Sequence, residues 1–266
     1  LESRGGFWKT PITAKAREEA HLPSDWRWEQ PIINSEADYD RILPYLYPEI
    51  SDAEKKQLEQ TAARQAAGDI WIMGALDGPF WYPRMLLGVE PHLYAFFEQP
   101  QFMKRIIDDL TEYNLRMARE ICEFFIPDVV CFPEDMSYRS GSMVGPAVFE
   151  EFIAPHYRAL LPELKKRGIL TMVDTDGQLE ALIPWFVDLG LQGMSPLERQ
   201  AGVDVNRIRQ NYPTFAMSGG FDKMVMDKGE AALRAEFERI KPAVMAGYYI
   251  PTEDHQVPPA VTLKDY

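Results

Sequence analysis

Two cysteines in 266 residues exclude a disulfide framework and a cysteine-rich zinc motif. Cys122 lies in the apolar stretch ICEFF and Cys131 in DVVCF, so both are expected to be small buried hydrophobes. A reducing, cytoplasmic setting is the expectation that follows. Long apolar runs are also lacking. None approaches the ~18 residues of a membrane span, and the opening LESRGGFWK has no signal-peptide apolar core. Basic residues are few: 28 Lys and Arg stand against 41 Asp and Glu, a formal net charge of −13. Such a chain repels phosphate backbones and anionic lipid, so neither nucleic acid nor a membrane surface is expected as a partner. No G-x-G-x-x-G and no P-loop follows any apolar run, which removes the main sequence support for a nucleotide-binding open sheet. The chain begins without Met and stops at VTLKDY, on the approach to a helix, so residues are expected to be lost from both ends.

What is present is bulk and periodicity. Hydrophobic residues make up 46% and aromatics 12%, ample for one large packed domain. Residues 1–50 hold five prolines and three tryptophans without a sustained period, and read as a loop-rich N-terminal excursion. A helix is predicted from the capping box of Ser51 and Glu54 to its stop at Gly68. Beyond it, six short apolar runs read as strands, at 69–76, 128–135, 169–176, 191–198, 214–222 and 248–255. They are nearly continuous rather than alternating, as parallel strands buried on both faces are. Between them lie amphipathic patterns at about Pro100–Phe125, 146–167, 178–189 and 229–245, with Gly168 and Gly190 each ending a helix just before a strand. Repeated strand–helix steps of this kind build either a barrel or an open sheet. The predicted fold is α/β, a single (β/α)8 TIM barrel over 1–266 that lacks N-terminal elements.

Every predicted strand ends in polar or ionisable residues: Asp77; Glu134 and Asp135; Asp174 and Asp176; Glu198; Asp222; then Glu253, Asp254 and His255. In a parallel barrel these ends converge on the face that carries the active site. Any one such carboxylate can instead be a helix N-cap. Asp174 and Asp176, two apart on a strand, would point the same way. Two like charges that close raise one pKa unless a metal or cation neutralises them. With His255 they would make an O,O,N metal site; the alternative is a hydrogen-bonded turn at Asp176-Gly177. Among the other histidines, His21 falls in the leader, His92 at a helix start and His156 inside a helix, where a structural role is expected. Only His255 stands at a strand end among carboxylates. The SGGFD segment, Ser218 to Asp222, permits close backbone approach. Phe80, Trp81 and Tyr82 in DGPFWYP would wall a pocket or pack against the leader.

The order GPF, PEDMSYRSGSMVGPAVFEEFIAPHY, VDTDG, GMSPLE, SGGFD and DHQVPP resembles the uroporphyrinogen decarboxylase superfamily over roughly residues 70–266. That superfamily includes decarboxylases of tetrapyrrole synthesis and corrinoid-dependent methyltransferases. In its thiol-activating methyltransferases the VDTDG segment looks like His-x-Cys-Gly and the place of His255 is taken by Cys, and these residues bind zinc. In the decarboxylases the place of His255 is a His followed by a Pro-Pro turn, which HQVPP resembles. This chain departs from both patterns. The resemblance implies methyl transfer from a small, methoxylated substrate to a corrinoid carried by a partner protein, since no D-x-H-x-x-G cobalamin motif is present. A divalent metal, zinc by the resemblance, would be held by Asp174, Asp176 and His255. Glu134 or Asp135 would be a further ligand or an acid/base, with His255 also catalytic. Phe80, Trp81, Tyr82, Arg84, Tyr138 and Arg139 would bind substrate, and homodimerisation is implied. The alternatives are decarboxylation, which the acidic rim disfavours for a poly-anionic substrate, and a barrel without chemistry that binds or scaffolds.

Overall fold

Unalternating apolar runs should pair in parallel, and they do. In the computed structural model, which describes residues 31–264 and Tyr266, the chain divides into two compact units. The first holds the described residues through Glu134 together with Pro146–Ile169, and the second holds Asp135–Gly145 and Leu170–Tyr266. Residues 1–30, with His21 and most of the predicted leader, lie outside the described residues.

In the first unit, helices α1 (Glu36–Leu46) and α2 (Asp52–Ala66) precede strand β1 (Met73–Ala75). Helices α3 (Trp81–Leu87), α4 (Val89–Glu98) and α5 (Pro100–Ile121) follow, then β2 (Val129–Pro133), which pairs in parallel with β1. The capping box at the start of α2 forms as the sequence predicts, with Ser51 Oγ accepting from Glu54 N–H and the Glu54 carboxylate accepting from Ser51 N–H. The long α5 buries Met103, Ile106 and Leu110 along one face and packs on α7 (Ala154–Lys165), which buries Leu160, Leu161 and Leu164. Each such side chain contributes about 1.5–3 kcal/mol. Ahead of α7 the chain makes a short helical turn, α6 (Pro146–Val148), and a π-helical turn (Phe149–Ile153).

The second unit opens with the hairpin β3 (Ser137–Tyr138) and β4 (Gly141–Ser142). Its sheet runs β5 (Leu170–Asp174), β6 (Gly193–Ser195), β7 (Ala216–Phe221) and β8 (Tyr249–Glu253), parallel and in that order. Between successive strands lie α8 (Ile183–Leu189), α9 (Val205–Asn211) and α10 (Glu230–Met245). Val173 and Met194 are fully buried and Met217 nearly so.

Four local expectations are corrected. Residues 36–46, read as irregular, form α1: Ser35 caps it and Tyr39, Ile42 and Leu46 are buried at helical spacing, while Pro44 sits in its last turn, where one lost N–H bond costs little. The helix predicted from 178 starts only at Ile183, because Gln178 Oε1 accepts from Glu180 N–H and holds a turn. Cys131 is buried as expected, but Cys122 is only half-buried. Finally, β1 and β8 are not covered on both faces. Met73 and Ile250 are exposed, and among the described residues each of these strands pairs on one side only.

Candidate active site

The carboxylate after β2 belongs to the first unit and is fully closed off. Glu134 Oε2 accepts from the N–H groups of Phe80 (2.9 Å) and Trp81 (3.1 Å), and Oε1 accepts from the Tyr157 hydroxyl (2.5 Å). Gly78 makes room for it: a Cβ there would lie 2.3 Å from the Glu134 carboxyl carbon. Burial pushes this acid up to about 7 against the lowering effect of its three donors, with the Asp77 charge adding to the rise. The bonds explain its role. Helix α3 has no side-chain cap of its own at Phe80, so its first N–H groups are satisfied by Glu134, 54 residues away in sequence. In these bonds Glu134, predicted as a further ligand or an acid/base, anchors the start of α3.

Phe80, Trp81, Tyr82 and Arg84, predicted to line a substrate pocket, lie on or at the start of α3 and are buried. Phe80 meets the His92 ring edge-on at 4.6 Å, and the Arg84 guanidinium lies 5.3 Å from the Trp81 ring. Burial, seconded by Arg84, holds His92 neutral with a pKa of about 3.

Two residues beyond β1, the protein packed around Asp77 pushes its carboxyl up to about 6. Its carbonyl accepts from Asn114 Nδ2 at 2.9 Å, and the same amide nitrogen faces His156 Nε2 at 3.4 Å. Thr111 Oγ1 donates to Ile107 O (2.6 Å) and stands 2.7 Å from His156 Nδ1. The hydroxyl has one proton, already given to a carbonyl, so His156 carries its proton on Nδ1 and offers Nε2 as acceptor. Burial keeps this histidine neutral, with a pKa of about 3. Sequence reasoning did not single out Thr111 or Asn114; the signal was there, in a polar Asn on the apolar face of α5.

The second unit brings the remaining candidates together. Asp174 ends β5, is half-buried, and has one long contact from Ser195 Oγ at 3.5 Å. Burial first, then the charges of Asp176 and Asp135, push its carboxyl up to about 7, while Ser195 and His255 oppose the rise. Asp135 sits at φ 41°, and its N–H donates to Asp174 O at 3.2 Å. Asp176 Oδ2 lies 3.2 Å from His255 Nε2, with 42% and 38% of the two side chains exposed. Ser137 Oγ donates to Asp176 O, and Tyr138 O accepts from Gln178 N–H, so the β3–β4 hairpin lies along this loop. Gly177 is required there, at φ 80°, because a Cβ would come within 2.6 Å of the Tyr138 carbonyl. Tyr138 and Arg139 on that hairpin are exposed.

The predicted three-ligand metal site is not supported by this arrangement. Asp176 and His255 converge, but among the described residues no three His, Cys, Asp or Glu side chains form a group that could hold a metal ion. The reason is local. Strand β5 ends at Asp174, so the two-residue alternation no longer governs Asp176, which lies beyond the strand, before the bend at Gly177, and meets His255. What the second unit offers instead is acid–base chemistry: an acid that titrates near neutrality beside an open carboxylate–imidazole pair.

This sequence matches the uroporphyrinogen decarboxylase (URO-D) family over residues 27–265. The chain belongs to that family. The URO-D fold is a (β/α)8 barrel, the fold class predicted from the sequence, and the parallel strand–helix alternation of both units is part of such a barrel. Among solved structures, a methyltransferase from Methanosarcina mazei superposes with a TM-score of 0.61 at 17% identity, covering 84% of this chain. At that identity the likeness is one of fold. This chain spans 63% of the length of that methyltransferase. No curated protein matches the sequence. No helix among the described residues is long and apolar enough to cross a membrane.

Proposed function

We propose that this URO-D family chain is an enzyme that moves a methyl group from a small methoxylated substrate to a corrinoid carried by a partner protein. Asp174 is its general acid. The observation that carries this reading is the state of Asp174: a half-buried carboxyl pushed up to about 7, with no strong donor to hold it ionised, beside the open Asp176–His255 pair.

Cleaving a methyl ether leaves the bonding electron pair on the oxygen. The methyl carbon goes to a reduced corrinoid acceptor, and the developing oxyanion needs a proton. Asp174 in its protonated form supplies that proton to the ether oxygen as the C–O bond breaks, which makes a poor leaving group a neutral alcohol or phenol. The Asp176–His255 pair, open to solvent, returns a proton to Asp174 between turnovers. Tyr138 and Arg139 on the hairpin offer a ring and a cation to the rest of the substrate. Because the carboxylates and the histidine do not group as metal ligands, no step is assigned to a metal.

The test is to incubate the purified chain with methoxylated aromatics and reduced cobalamin, following the free phenol by chromatography and the corrinoid by absorbance. Phenol release matched by corrinoid methylation is expected, insensitive to chelator. Carbon dioxide release from a carboxylated substrate, with no methyl transfer, would put decarboxylation in its place. Activity lost to chelator and restored by zinc would reinstate the metal site.

A further inference from the structure

We infer that Lys223 is a positioning residue that sets the Asp176–His255 pair by joining the loops after all four strands of the second unit; this rests on the reading of that pair as part of the active site. Lys223 follows β7, and its Nζ lies 3.3 Å from Asp254 Oδ1 and 3.6 Å from Glu198 Oε1. Both arms end one residue from a member of the pair. Asp254 precedes His255. Its side chain is fully buried, its carboxylate also accepts from the N–H groups of Arg199 (2.7 Å) and Lys223 (3.4 Å), and its own N–H donates to Phe221 O (3.0 Å). On the other arm, Glu198 Oε2 accepts from the N–H of Gly177, the residue after Asp176, at 3.0 Å.

A buried carboxylate holds its place only while its charge is matched, and the Lys223 side chain is only 12% exposed, so its ammonium is shielded enough to match Asp254 strongly. The same ammonium therefore governs where His255 stands and, through Glu198, where Asp176 stands. Neither Asp nor His of the pair touches Lys223 directly in a hydrogen bond or ion pair; the lysine acts through its neighbours.

The test needs no substrate. Lys223→Met, Lys223→Arg and Glu198→Gln are compared with the unaltered chain by hydrogen exchange, reading peptides over 174–180 and 252–258 with α5 as reference. Lys223→Met is expected to speed exchange about tenfold in both loops and to leave α5 unchanged, and Lys223→Arg to restore both. Glu198→Gln is expected to loosen 174–180 and spare 252–258, which keeps the inference testable should Lys223→Met fold poorly. In turnover, Lys223→Met should lower kcat with little change in KM. Unchanged loops, or faster exchange throughout including α5, would overturn the inference. The site reading fails separately: a His255→Ala chain with full activity sinks it whatever the exchange shows.

Discussion

Glu134 in the first unit and Asp174 in the second both follow or end a parallel strand, and both are pushed up to about 7, chiefly by burial. Their surroundings differ in what is left over. Glu134 is fully buried and both oxygens are engaged, by two backbone N–H groups and a tyrosine hydroxyl. Asp174 is half-buried, with a single 3.5 Å side-chain contact and carboxylate neighbours. A shifted pKa marks both, but chemistry also requires access and a lone pair or proton not already committed. The first acid holds a helix; the second keeps a half-buried carboxyl with one long contact.

The sharpest way to break the comparison is Asp174→Asn, which preserves shape and removes the proton donor. Methyl-transfer activity should fall about 10²–10⁴-fold with no loss of thermal midpoint, read by initial rates and calorimetry; a variant with full activity would remove Asp174 from the mechanism. Glu134→Ala should do the converse. It strands the first N–H groups of α3 and the Tyr157 hydroxyl, and should cost about 3 kcal/mol in urea denaturation. A loss near zero would mean that α3 is capped by something else. Tyr157→Phe removes one of the three donors and should cost about 1.5 kcal/mol, leaving the two backbone bonds to hold Glu134.

The smallest effect is in pH. Both acids are protonated in the folded chain up to about pH 7, whereas their ordinary values are 4.5 and 3.8. The folded state thus binds more protons between roughly pH 4 and 7, so their contribution to stability declines as pH rises across that window and is constant above it. Thermal midpoints from pH 4 to 8 should show this decline, and Asp174→Asn should flatten part of it. Activity that needs protonated Asp174 should fall as pH rises through about 7. A rate that instead climbs through 7 would make Asp174 a base.

Much of the fold was legible because it is written in local patterns. The capping box of Ser51 and Glu54 needs residues three apart, and it forms. The six apolar runs lie where the six parallel-paired strands lie, and for the inner strands the reason is that a strand covered on both faces needs no alternation. Legibility failed where a long-range partner replaced a local one. DGPFWYP carries no helix cap, yet α3 begins at Trp81 because Glu134 supplies one from another part of the chain. Asp174 and Asp176 are two apart, yet the end of β5 between them releases Asp176 to His255. Nothing in the sequence around Lys223 marks it, since only its distances to Glu198 and Asp254 give it meaning.

By itself, then, the sequence determined the class of fold, the family and the set of ionisable residues at strand ends, because hydrophobic period, caps and motif order are properties of neighbouring residues. Tertiary structure alone decided which of those carboxylates is spent on a helix, which is held half-open near neutrality and which pairs with a histidine. Those outcomes depend on burial and on donors that arrive from distant segments, and a residue's chemistry follows from what surrounds it.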